Sequence, residues 1–158
     1  MASRRKSRIL AFQALYFWES SSRNITQRVP VDELINFAWL EEEKFSKLDE
    51  GMAVFSRLLI AGTVENIKEI DKAIKDHLDN WDIKRLNRVD LAVLRISVYA
   101  LMYQGEISPS IVIDEAIGIC REFGTDDSYK FVNGVLDSIR RTLKNQAGEN
   151  QPKTKNAL

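Results

Sequence analysis

Four cations fall within five residues near the start of the chain: Arg4, Arg5, Lys6 and Arg8. No acidic residue precedes Glu19, so nothing nearby in sequence offsets their charge. Gln13 and Tyr16 follow, three residues apart, and add an amide and an aromatic ring. Cations for phosphates, an amide for base edges and a ring for stacking form the set that single-stranded RNA requires. A short basic cluster equally suits a solvated chain terminus, and the pattern alone leaves both readings standing.

Other chemistry finds few residues to use. His77 and Cys120 are the only histidine and cysteine, whereas a zinc site needs several such ligands at short spacing. His77 beside Asp76 reads as a solvated surface residue, and Cys120 on an apolar stripe as a small core residue. There is no phosphate-binding glycine loop and no nucleophile elbow, and Gly51, Gly62, Gly118 and Gly134 stand singly. Asp114 and Glu115 are adjacent and point to different faces of a helix, so they make no shared acid/base pair. Arg95 lies in a strongly apolar stretch and needs a carboxylate partner, for which Glu115 is the expected residue. The expectation is a non-enzyme without cofactor or metal.

The elements that must position these residues are helical throughout. With 158 residues, 44% hydrophobic and 29% charged, the chain suits one folded domain. Net charge is zero, with 23 basic and 23 acidic residues, so any nucleic-acid surface must come from charge placement. Asp32 to Glu50 is acidic, while Arg140, Arg141, Lys144, Lys153 and Lys155 make the end basic again. One cysteine, no secretory signal and no apolar run of membrane-spanning length together imply a cytoplasmic protein.

Ile9, Phe12, Leu15 and Tyr16 predict a first helix over about residues 3–20. After the polar stretch SSSRNITQRVP, Pro30 opens a short second helix carrying Leu34, Phe37 and Ala38 and running through Glu43. Between Gly51 and Leu78 the apolar period predicts two helices, with a break and a new cap at Gly62 and Thr63. Trp81 to Leu86 reads as a turn. Asn87 then opens a helix over about Val89 to Tyr103 that is apolar on nearly every face and so belongs at the centre. Ser108 and Pro109 start the next helix, Gly124 ends it, and the TDDS cluster caps a last one through Leu143. The fold class is all-α, a single bundle of roughly six or seven helices over residues 1–145, with 146–158 a polar, disordered tail.

The segment SRRKSRILAFQALYFWE resembles the opening of the NusB family of transcription antitermination factors, in which an arginine-rich start leads into an Ala-x-Gln-Ala-Leu-Tyr helix. A later stretch resembles the family more specifically, with Leu94-Arg95, Pro109, Glu115-Ala116, Phe123-Gly124 and the run from Lys130 to Leu136 in the expected order. The resemblance covers about residues 3–141. It implies a bundle of two helical halves that binds boxA RNA of ribosomal RNA leaders together with NusE, a small-subunit ribosomal protein, and so helps RNA polymerase resist termination. On this chain it makes Arg4, Arg5, Lys6, Arg8, Gln13 and Tyr16 the RNA-contacting residues. Asp90, Asp127 and Phe131 become the partner-binding residues. Asp114 stands where the family usually has asparagine, which adds a carboxylate near the core and bears on how Arg95 is satisfied.

NusB-like domains also open ribosomal RNA cytosine methyltransferases, so an accessory RNA-binding or protein-bridging module related to those domains is the alternative. A methyltransferase needs an α/β cofactor domain, which uniformly helical patterning does not supply.

Overall fold

Eleven consecutive buried residues, from Asp90 to Ala100, mark the centre of the bundle, because a helix hidden on every side must be surrounded by others. The structure, a computed structural model, describes residues 4–21, 28–79 and 82–150. Among them the helices are α1 Arg4–Ser21, α2 Val31–Ile35, α3 Glu42–Ser46, α4 Glu50–Glu65, α5 Ile67–Asp76, α6 Arg88–Tyr103, α7 Pro109–Phe123 and α8 Ser128–Asn150. A 3-10 turn, Ile83–Arg85, sits between α5 and α6, and the described residues contain no strand. The all-helical expectation holds. Central α6 packs against α1, α4, α5, α7 and α8, and all of them contribute to one apolar core.

Local chemistry explains the boundaries. The Asn87 side chain accepts from the amides of Val89 and Asp90 at 2.8 and 3.2 Å, which caps α6 as the sequence suggests. Asp49 caps α4 by accepting from the Met52 amide at 3.2 Å. Pro109 opens α7 at a position where a missing donor costs nothing.

Four expectations need correction. The break between α4 and α5 falls at Asn66, whose side chain donates to the Gly62 carbonyl at 2.8 Å, and Gly62 and Thr63 are buried inside α4. Gly62 is small for a packing reason, since a methyl group there would overlap the Tyr99 ring. The second helix does not reach Glu43. It ends at Ile35, and Phe37 adopts a left-handed backbone (φ 57°) that turns the chain and puts its ring in the core. Trp39 then donates its indole N–H to the Leu34 carbonyl at 3.0 Å, which satisfies an end group of α2. At the other end, α8 continues through Asn150, past the boundary set at residue 145, with Arg140 and Arg141 both paired to Asp137 one turn back. Residues 151–158 of the expected tail and most of the SSSRNITQRVP loop lie outside the described residues, as does Trp81.

The fourth correction concerns Arg95. Its guanidinium donates to Asp71 and Glu19, not to Glu115, and Asp114 is exposed and plays no part. Burial pushes this guanidinium down, but hydrogen bonds to Asp71 and Glu19 and their negative charges together outweigh it and leave the pKa raised.

Candidate nucleic-acid and partner interface

Helix α1 is held in place by small residues as well as apolar ones. The Ser56 hydroxyl of α4 donates to the Ser7 carbonyl at 3.1 Å, and the Ser7 hydroxyl donates to the Met52 carbonyl at 3.3 Å. The buried stripe of Leu10, Ala11, Ala14, Leu15 and Trp18 completes the docking. The four cations therefore leave a fixed backbone in fixed directions.

Their environments differ. Arg4 is exposed, with its guanidinium 4.1 Å from the centre of the Phe55 ring. Arg8 is buried, lies 5.5 Å from the same ring and comes within 4.0 Å of Glu115. Burial lowers its pKa, with Glu115 pulling the other way. Arg5 is exposed and forks onto Glu115, Nε to Oε2 at 2.9 Å and Nη2 to Oε1 at 3.2 Å, and this hydrogen bonding raises its pKa. Lys6 is exposed. Of the expected RNA residues, Arg8 is thus chiefly a packing element, while Arg4, Arg5 and Lys6 face outward.

Tyr16 lies eleven residues beyond Arg5, about three helical turns or roughly 16 Å along the same side of α1. Its ring is 40% exposed and meets Phe12 edge-on at 6.5 Å, and Phe12 in turn lies 5.3 Å from Phe123 at the end of α7. Gln13 is half-buried. The basic edge of α1 therefore leads to the corner where α7 passes into α8.

The partner candidates lie at the starts of α6 and α8. Asp127 is exposed just before α8, and its carbonyl accepts from the Phe131 amide at 3.2 Å. Asp90 is 8% exposed in the first turn of α6, and its Oδ1 makes no hydrogen bond. Burial raises its pKa, with the Ser128 hydroxyl opposing. Phe131 is half-buried and lines a cleft of about 430 Å³ with Asp76, His77, Leu78, Asp79 and Lys130. His77 is not the solvated residue expected from its charged surroundings. It is half-buried, with Nδ1 2.7 Å from the Ala73 carbonyl and Nε2 2.7 Å from the Thr142 hydroxyl, and so ties α5 to α8.

Cys120 is fully buried, its thiol pushed up to about 12 by burial, which suits the expected core role and leaves no reactive thiolate. Among the described residues no group of histidine, cysteine and carboxylate side chains is placed to hold a metal ion. No described helix is long and apolar enough to cross a membrane.

Sequence reasoning missed Glu115 and Phe55 as the residues that seat the basic run. Glu115 is 110 positions from Arg5, and no local spacing connects them.

An all-helical bundle whose first helix carries an arginine-rich edge beside an acidic and aromatic corner is a scaffold for binding, with its outward chemistry in charge and rings. Residues 5–141 match the NusB family. The transcription antitermination protein NusB of Treponema denticola is 53% identical over 137 residues, covering 87% of this chain and 95% of that protein. Among solved structures, NusB of T. maritima superposes with a TM-score of 0.75 at 33% identity, covering 89% of this chain and 92% of that one. A chain from the crystal structure of the antitermination factors NusB and NusE in complex with double-stranded RNA gives a TM-score of 0.73 at 27% identity, covering 88% and 96%. The chain belongs to the NusB family.

Proposed function

We propose that this protein is a transcription antitermination factor that binds boxA-like RNA of ribosomal RNA transcripts together with a NusE-type ribosomal protein, acting in the cytoplasm on RNA polymerase. The observation that carries the reading is the outward placement of cations on a rigidly docked first helix. Arg4, Arg5 and Lys6 are exposed at the start of α1, Tyr16 is exposed farther along the same side, and Asp127 and half-buried Phe131 stand at the start of α8. Cations supply attraction to phosphates, the exposed ring offers a stacking platform, and the start of α8 supplies a place for a protein partner. A structural relative is known in complex with NusE and double-stranded RNA.

The test is a binding titration of boxA-like RNA, single-stranded and as a duplex, with and without the cognate NusE-type protein. A cooperative gain in RNA affinity on adding the partner is expected, since two ligands that stabilise one arrangement reinforce each other reciprocally. Equal RNA affinity with and without the partner would count against it. A second reading, a module that only bridges proteins, gains support from the pairing of Arg5 with Glu115 and the burial of Arg8, which reduce the outward charge. RNA crosslinking at α1 separates the two.

A further inference from the structure

Glu115 is an unexpected neighbour for an RNA-binding edge. A carboxylate beside Arg5 and Arg8 cancels part of the positive charge that draws phosphates, so it lowers the general attraction for any RNA. What it gives in return is orientation. Two of the five guanidinium N–H groups of Arg5 are committed to Glu115, along the edge formed by Nε and Nη2. The flat group lies over Gly118, one turn further along α7, where a methyl group would overlap Nη1 and Cζ. With one edge bound to Glu115 and one face against Gly118, the guanidinium is held in place on a side chain that is still 43% exposed.

Resting on the RNA-binding reading above, we propose that Glu115 and Gly118 form a seat that fixes the Arg5 guanidinium, and that Glu115 is thereby a positioning residue for RNA specificity. An arginine free to swing can follow phosphates of any strand. An arginine held by one edge presents its remaining donors in a single direction and rewards RNA whose shape places an acceptor there. Glu115 exchanges affinity for discrimination.

The experiment compares boxA-like RNA with a scrambled strand of the same length and composition, over a range of salt concentrations, for the parent, Glu115→Gln, Gly118→Ala, Arg5→Ala and the Arg5→Ala/Glu115→Gln double variant. Glu115→Gln should bind the scrambled strand more tightly, with a salt slope steeper by about one, and lose about tenfold in discrimination. Gly118→Ala changes no charge and only pushes Arg5 off its seat, so it should lose discrimination at an unchanged slope. The double variant should discriminate no worse than Arg5→Ala alone, because Glu115 acts through Arg5. Thermal melts accompany each variant, and if Gly118→Ala fails to fold, Glu115→Gln and the double variant decide. A discriminating parent whose folded variants discriminate equally well overturns the seat and leaves the RNA-binding reading intact. Losses that simply add in the double variant overturn it too, since they assign Glu115 a role in general stability. A parent that binds neither RNA overturns both.

Discussion

The guanidinium of Arg95 in α6 forks onto Asp71 of α5 through two hydrogen bonds of 3.0 Å and gives its remaining edge to Glu19 of α1 at 2.8 Å. One side chain thus links three helices at the centre of the bundle, with the Trp18 ring 5.7 Å away. Arg95→Met is expected to lower stability by about 3 kcal/mol, because it strands the half-buried Asp71 carboxylate without its cation and leaves Glu19 with Arg28 at 3.8 Å in place of the shorter pair. Arg95→Lys should recover less than half of the loss, since a single ammonium cannot reproduce the fork. Urea denaturation at unchanged m value measures both, and a Lys variant as stable as the parent would show that charge alone suffices.

Arg95 also shows where sequence reading stops. Its apolar surroundings made the need for a carboxylate plain, and the helical period made its central place plain, because both follow from one helix. The choice of Asp71 and Glu19 over Glu115 depends on how α1, α5 and α7 are arranged around α6, which no spacing within one helix contains. Gly62 teaches the same lesson. A glycine within a helical pattern signals either a break or a close approach, and only the position of the Tyr99 ring decides for the second. The basic run itself was legible as four cations, but the division into outward Arg4 and Lys6, seated Arg5 and buried Arg8 comes from contacts with α4 and α7.

That division separates binding from stability in mutants. Replacing Arg4 and Lys6 together by alanine should flatten the salt dependence of RNA binding by up to about two phosphate contacts, with a smaller loss of stability than Arg8→Ala gives, because Arg4 meets Phe55 from an exposed position. Arg8→Ala should instead cost about 1–2 kcal/mol of stability, through lost packing on Phe55 and loss of a cation near Glu115. Salt titrations and thermal melts on the two variants provide the check. An Arg8→Ala protein as stable as the parent would return that residue to the outward set.

Phe131 sits between two roles. It packs at the edge of the core yet lines the cleft beside His77 and Lys130, so one part of its ring is covered and another is available. Phe131→Asp is expected to keep helical circular dichroism and a cooperative melt, at a cost of about 1–2 kcal/mol, while abolishing association with the NusE-type protein. An insoluble or melted variant would place Phe131 wholly in the core. A folded variant that still binds the partner would move the interface elsewhere.

Asp90 places a carboxyl group where burial disfavours its charge. Burial raises its pKa above the unfolded carboxylate value of about 3.9, so the folded protein holds that proton more tightly than the unfolded chain does. The resulting contribution to stability is complete below the unfolded pKa and is lost as pH rises through the folded pKa, which leaves the ionised group a net cost at neutral pH. Asp90→Asn keeps the shape and removes the charge. It should stabilise the protein at pH 7 by about 1 kcal/mol, or roughly 3 °C in melting temperature, with the gain shrinking toward pH 4. Melting curves at several pH values provide the check. A variant less stable than the parent at pH 7 would mean that hydrogen bonding to the carboxylate, and not its burial, governs this site.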